Sequence, residues 1–320
     1  MVVPVDIGLL VIRGSTDLVK QKLQRLLELA ASKVKQKLYV HLEENDNFKE
    51  LLPEIYLSAA SLKSGIDFRV LLDRRTVNVD KVFYDEIKDP DHPTFPIFNE
   101  DSCINKRPFS LNKTSAFSNS LEKPYDHVIM GGAFDRLHNG HKLLLSEAVL
   151  LSKKITCGVT NGEMIKKKIL YELMEPVTTR CAEVENFVND VSENVKCITV
   201  PIFDAFGPSI EDKGYEAIIV SEETLVGGEA VNIKRKERGL FPLKIHIIKL
   251  LGNERLNDRI LNETKLSSSA NRRELLGKIL IEPTPPIEPI STKHYLIGLT
   301  GGIASGKTHI AKYLASQGCE

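Results

Sequence analysis

Gly131-Gly132-Ala133-Phe134-Asp135-Arg136-Leu137-His138-Asn139-Gly140-His141 follows the apolar run His127 to Met130 and leads directly into the helical pattern Leu143 to Leu151. A short apolar run closed by paired glycines reads as a strand, so the stretch is a strand-to-helix turn. Glycines there let the backbone turn tightly and approach a phosphate, and the helix start offers free N–H groups and a positive dipole end. His138 and His141 are three positions apart across Gly140, which lets both imidazoles face one phosphate group. The chemistry this suits is nucleotidyl transfer: an attacking phosphate oxygen displaces pyrophosphate from an α-phosphorus, and the protein positions the reactants and offsets charge. A lone histidine is more often a surface or cap residue. The reading rests on the pair, its glycines and the junction together.

Around this turn, short apolar strands alternate with helical patterns. Ile155 to Val159 reads as a second strand, and Cys181, Val184, Val188 and Val191 stripe a helix. Further strands are expected at Lys196 to Val200, Ala217 to Val220 and Lys244 to Leu250. Such alternation predicts an α/β fold with a Rossmann-like parallel sheet, whose ligands collect at the carboxyl ends of the strands. Lys265-Leu266-Ser267-Ser268-Ser269-Ala270-Asn271-Arg272 precedes a helical pattern of Leu275, Leu276 and Ile279, placing three hydroxyls and an arginine at a helix start. A serine run before a helix is commonly a cap, but hydroxyls and an arginine there also suit an anion.

Composition shifts divide the 320 residues. Residues 1–84 are expected to form a small α/β region: a strand at Ile7 to Ile12, a helix carrying Leu23, Leu26, Leu27, Ala30 and Val34, and strands at Leu38 to Leu42 and Phe68 to Leu72. No catalytic constellation is legible there, and Lys20, Lys22 and Arg25 read as a solvated helix face rather than a membrane-binding one. Residues 85–124, rich in Pro, Asn and Ser, read as a linker; 125–280 hold the nucleotidyltransferase pattern; 281–290, with four prolines, form an extended spacer; 291–320 are the start of a further domain.

Lys+Arg and Asp+Glu both total 43, so no global field draws the chain to nucleic acid or a membrane surface. Phosphate binding must be local. Five scattered cysteines without Cys-x-x-Cys spacing read as reduced thiols, and no apolar run reaches the ~20 residues of a membrane-spanning helix. The expectation is a cytoplasmic protein, with mitochondrial association as a further possibility of compartment.

The string GGAFDRLHNGHKLLL resembles the nucleotidyltransferases marked by His-x-Gly-His, and more narrowly the adenylyltransferase half of bifunctional coenzyme A synthases. Val220-Ser221-Glu222-Glu223-Thr224 resembles the same family, as do, more weakly, GLLVI, LYVHL and FRVLL near the N-terminus. The resemblance implies ATP, carried with Mg2+, and 4′-phosphopantetheine as substrates, and dephospho-coenzyme A as product. It implies that His138 and His141 stabilise the transferring α-phosphate, with catalytic support from Lys166 and Arg180. Gly131, Gly132, Ala133, Phe134, Asp135 and Lys168 are implied to line the substrate and nucleotide site, and Ser267, Ser268, Ser269 and Arg272 to contact the β- and γ-phosphates. No metal-ligating residue is implied. Related cytidylyltransferases carry an Arg-Thr-x-Gly-Ile-Ser-Thr pattern at the second cluster, and its absence favours ATP over CTP. Ala133 departs from the Thr or Ser usual in the family, removing a hydroxyl that would bond a substrate phosphate.

Tyr295 to Leu299 reads as a strand before Gly301-Gly302-Ile303-Ala304-Ser305-Gly306-Lys307-Thr308, a complete phosphate-loop pattern in which Lys307 reaches phosphates and Thr308 is placed for magnesium. GLTGGIASGKT resembles dephospho-coenzyme A kinase, with the rest of that domain expected to be missing. Two other functions fit the residues less fully: a nucleotidyltransferase for another phosphate acceptor of flavin, nicotinate or choline type, and a non-catalytic nucleotide-binding scaffold.

Overall fold

Strand β1 (Val5–Arg13) is buried continuously from Gly8 to Ile12, the mark of a parallel-sheet strand covered on both faces rather than one with alternating exposure. It is central in a sheet ordered β3-β2-β1-β5-β6. Strands β2 (Val34–Glu43), β3 (Asp67–Val70) and β5 (Lys81–Glu86) run parallel within it. Strand β6 (Ile97–Asp101) is antiparallel to β5. Helices α1 (Thr16–Ala31) and α2 (Phe48–Ser61) make the crossovers, and β4 (Thr76–Val79) pairs antiparallel with β7 (Arg107–Ser110). The computed structural model describes residues 4–43, 48–62, 64–73, 76–86, 97–101, 107–110, 123–248, 268–277, 297–302 and 305–319.

A second sheet is parallel throughout and ordered β10-β9-β8-β11-β12. Its strands are β8 (Tyr125–Gly132), β9 (Ser152–Thr160), β10 (Lys196–Ile202), β11 (Ala217–Ser221) and β12 (Lys244–Ile248). Four helices accompany it: α3 (Asn139–Leu151), α4 (Glu163–Lys166), α5 (Val177–Val191) and α6 (Leu225–Glu237). The chain reverses its direction of strand addition between β8 and β11, and the crevice beyond their carboxyl ends is where ligands bind in open sheets of this kind. Helix α7 (Ser268–Glu274) completes the described part of this unit.

The two sheets share one apolar core. Leu26 and Leu27 of α1, Leu52, Ile55 and Tyr56 of α2, and Leu145 and Phe187 of the second half belong to a single buried cluster. Polar joints reinforce it. Tyr56 Oη lies 3.2 Å from Ser146 Oγ, the Leu72 amide donates to the Val191 carbonyl at 2.9 Å, and Lys142 Nζ contacts Asp67 Oδ1 at 2.6 Å. Burial alone would raise the Asp67 carboxyl, but the charges of Lys142 and Arg69 outweigh it and hold the group below the ordinary range. Burial draws the Lys142 ammonium down, only partly opposed by Asp67, because Arg69 and Lys37 also lie near it.

Several expectations need correction. Helix α1 ends at Ala31, and Val34 instead opens β2, its side chain still buried in the common core. Helix α2 was not legible as a helix because Pro53 breaks the expected sequence pattern, although the helix runs on through it with Leu51, Leu52, Ile55, Tyr56 and Ala59 as its buried face. Within 85–124, read as a linker without regular structure, β6 and β7 find partners distant in sequence, for which local patterning carries no signal. The basic face of α1 is largely ion-paired: Lys22 with buried Asp85, Lys20 with Glu50, and Arg25 with Glu28.

Residues Gly277–Glu320 form a separate unit. Described residues 297–300 are not a strand, whereas Lys307–Ser316 form helix α8, with no buried side chain. Gly301 and Gly306 adopt positive φ of 149° and 81°, and Lys307 Nζ donates to the Gly301 and Gly302 carbonyls at 2.8 and 2.6 Å. Thr308 lies in the first turn of α8. The spacer at 281–290, Ile279, Cys103 and Ser267 lie outside the described residues.

Removing half-buried Asp67 strands the charge of buried Lys142. Asp67→Asn is expected to lower unfolding free energy by about 3 kcal/mol in denaturant titration, and the Asp67→Asn/Lys142→Met double variant to recover most of it. Both halves should unfold in one transition.

Candidate active site

The carboxyl end of β8 opens into the turn Ala133–His138, where Phe134 and Arg136 adopt left-handed backbone with φ of 46° and 49°. Such conformations cost non-glycine residues roughly 1–3 kcal/mol each and persist only where surroundings enforce them. Phe134 is fully buried, and a Cβ on Gly132 would stand 3.2 Å from its ring, so the second glycine clears room for the turn.

Three arginines and two carboxylates hold the turn. Asp135, fully buried, accepts the Glu175 amide at 3.0 Å through Oδ1 and forms an ion pair with Arg272 through Oδ2. Arg136 Nη1 pairs with Glu175 Oε1 at 3.1 Å, and its Nη2 donates to the Leu173 carbonyl at 3.1 Å. Arg180 lies beneath, donating from Nε to the Glu175 carbonyl at 2.9 Å and from Nη1 to the Ala133 and Thr160 carbonyls at 2.7 and 2.9 Å. Its Nη2 is buried without a partner among the described residues.

His138 caps α3, its carbonyl accepting the Lys142 amide at 3.0 Å, and His141 lies in the first turn. Their rings stack with centroids 3.8 Å apart and planes 24° apart, and Phe134 flanks His141 at 5.5 Å. A Cβ on Gly140 would come within 3.2 Å of the His138 ring, so the glycine in the motif admits the stack. Burial, reinforced by the Lys142 charge, brings His138 down to about 4. Burial lowers His141 as well, followed by the effects of His138 and Lys168. Both imidazoles are therefore neutral at neutral pH and act as hydrogen-bonding groups, while positive charge must come from elsewhere. Nδ1 of each ring is buried without a partner among the described residues.

Lys168 is exposed, and its field is felt at His141. Lys166 is exposed at the end of α4 and ion-paired with Glu163. Arg272, almost wholly buried, donates from Nε to the Ile169 carbonyl at 2.9 Å while pairing with Asp135. It ties the lysine-bearing segment, the histidine turn and α7 together. Ser268 and Ser269 start α7 half-buried. At the neighbouring end of β11, the Ser221 amide donates to Thr224 Oγ1 at 2.9 Å in a capping box, so the Val220–Thr224 segment is a helix start beside the site.

The structure thus joins His138, His141, Asp135, Arg180 and Arg272, separated by up to 137 residues in sequence. It also adds residues that sequence reasoning passed over. Glu175 braces both Arg136 and Arg180, and its only local signal is its place before Pro176 at the start of α5. Lys142, one helical turn beyond His138, lines a cleft of about 810 Å³ together with His138, Asn139, Arg136 and Asp67 of the first half.

Residues 129–295 match the cytidylyltransferase-like family. An uncharacterised protein of Schizosaccharomyces pombe is 43% identical over 148 residues, 46% of this chain and 47% of that protein. A phosphopantetheine adenylyltransferase of Saccharomyces cerevisiae is 37% identical over 171 residues, 52% of this chain and 55% of that protein. One from Thermococcus gammatolerans is 41% identical over 131 residues, 41% of this chain and 82% of that protein. The match spans about half the length of the two yeast relatives. With the histidine turn, its brace and more than half of the 320 residues inside the family match, the chain belongs to the cytidylyltransferase-like family.

Proposed function

We propose that this chain transfers the adenylyl group of ATP to 4′-phosphopantetheine, forming dephospho-coenzyme A and releasing pyrophosphate. The observation that carries the reading is the stacked, neutral His138–His141 pair held to Arg272 through buried Asp135 at the carboxyl end of a parallel sheet. Phosphopantetheine adenylyltransferases among the relatives point to the acceptor.

In this scheme an acceptor phosphate oxygen bonds to the α-phosphorus as the bond from that phosphorus to the bridging oxygen of the β-phosphate breaks, and both electrons leave with pyrophosphate. His138 and His141 donate N–H groups to the α-phosphate as its charge spreads. Lys166 and Lys168 attract substrate phosphates, and the free Nη2 of Arg180 offers one more donor. Ser267, Ser268 and Ser269 are assigned to the outer phosphates. Mg2+ is assigned to the phosphates of ATP, whose charge it offsets.

Removing one preorganised donor typically costs about 10²–10³ in kcat, and His141→Ala is expected to lose turnover on that scale in a pyrophosphate-release assay. Because the His141 ring stacks on its neighbours, a small drop in Tm should accompany the loss. If the variant keeps wild-type turnover, the catalytic reading fails. His138 binds its proton only near pH 4 when folded, but at its ordinary value of 6.5 when unfolded. Stability should therefore decline as pH falls from 6.5 toward 4, and His138→Gln should show a shallower decline in Tm.

Arg180 fixes the Ala133 carbonyl, so a hydroxyl introduced there enters an already ordered turn. Ala133→Thr is expected to tighten binding of the phosphate-bearing acceptor by up to roughly tenfold in calorimetric titration. Lys307 is occupied with its own loop carbonyls, and no described side chain of α8 is buried. Lys307→Ala should accordingly leave adenylyl transfer unchanged, and 3′-phosphorylation of dephospho-coenzyme A that depended on Lys307 would add a kinase function.

A further inference from the structure

The cleft beside His138 has a wall that does not come from the nucleotidyltransferase sheet. Ala59 and Ala60 at the end of α2, the turn Ser64-Gly65-Ile66, and Asp67 and Arg69 on β3 face the residues Arg136–Lys142 across about 810 Å³. This wall is built in. Asp67 is paired with both Lys142 and Arg69, and Arg69 also pairs with Asp190 of α5 at 2.8 Å. Arg136 is engaged by Glu175.

Beside those paired charges and the carboxylates of Glu183 and Glu274, the lining presents small apolar groups, Ala59, Ala60, Ile66 and Leu137, and the amides of Asn139, Asn186 and Asn271. Burial raises the Glu183 carboxyl toward its neutral form. Apart from His138, no described lining residue is aromatic, so a flat nucleobase or flavin ring would find no stacking platform. A flexible chain with neutral amides matches the lining, and the volume lies in the range of small-molecule sites. The archaeal relative is matched over 131 residues, 82% of its length, leaving it little room for a counterpart of the first half.

We infer that the first half of the chain is part of the acceptor site: Ala59 and Ala60 with the stretch from Ser64 to Arg69 are the wall against which the acceptor's uncharged, amide-bearing arm lies, and they select for that arm. The inference rests on acceptor phosphate being presented to His138 and His141. Ala60 is half-buried at the cleft, and Ser64 is exposed there, so tryptophan at either position would fill the arm's path without disturbing the turn that holds the histidines.

Calorimetric titration of the full chain with 4′-phosphopantetheine, with unphosphorylated pantetheine and with Mg-ATP tests this. Ala60→Trp and Ser64→Trp are expected to weaken both pantetheine ligands by at least about tenfold, while Mg-ATP affinity stays within about twofold and Tm is retained. Should Ala60→Trp fail to fold, Ser64→Trp decides alone. Unchanged pantetheine affinity in a folded variant overturns the inference, as does the absence of pantetheine binding by the unmodified chain. Adenylyl transfer that persists with unaltered acceptor KM in both variants sinks the wall but leaves the transfer reading standing. Pantetheine binding that is lost in the variants of a chain without turnover sinks the transfer reading and leaves the wall.

Discussion

The buried Asp135–Arg272 ion pair is the constraint on which the site depends. Asp135 sits in a turn whose two neighbours, Phe134 and Arg136, are held in left-handed backbone, and Arg272 comes from a short helix 137 residues later. Two charges removed from water gain little net stability, because desolvation consumes most of their attraction, but separating them is costly. The pair therefore acts as a lock between segments. With Arg272 seated, its Nε holds Ile169, and the lysine-bearing segment is drawn over the histidines. Without it, Asp135 would be a buried carboxylate held only by the Glu175 amide, with no counter-charge to fix the turn.

The neutral histidine stack changes where the electrostatics of the reaction must come from. Two imidazoles at 3.8 Å, half-buried with their Nδ1 atoms shielded from water and close to the Lys142 and Lys168 charges, cannot both carry protons near neutral pH. In the proposed transfer their contribution is directional hydrogen bonding by preorganised groups, and Coulombic attraction is assigned to Lys166, Lys168 and Arg180. A histidine pair exposed to water and free of those neighbours would titrate near its ordinary value and make phosphate affinity steeply pH-dependent.

The first half bears on the same chemistry by packing. Its helices share a core with α3 and α5, and Lys142, one turn from His138, is neutralised by Asp67 from the other sheet. A displacement of β3 would leave a buried ammonium beside the histidine turn. The orientation of α3, and with it the histidines, is thus set from both halves.

Much was legible from the chain alone. The glycine pair, the His-x-Gly-His spacing and the apolar alternation from Tyr125 to Ile248 determined a parallel α/β sheet with histidines at a strand-to-helix turn, because strand period, helix period and glycine tolerance are local properties. Helix α2, with Pro53 in its midst, and strands β6 and β7 were obscured for the complementary reason: their stability comes from partners far away in sequence. Tertiary structure alone decided that Asp135 meets Arg272, that Asp67 neutralises Lys142, and that the two histidines stack half-buried with their proton affinity lowered by that burial. Pairing between distant charges and the exclusion of water from a ring are properties of assembled surfaces, and residue spacing does not encode them.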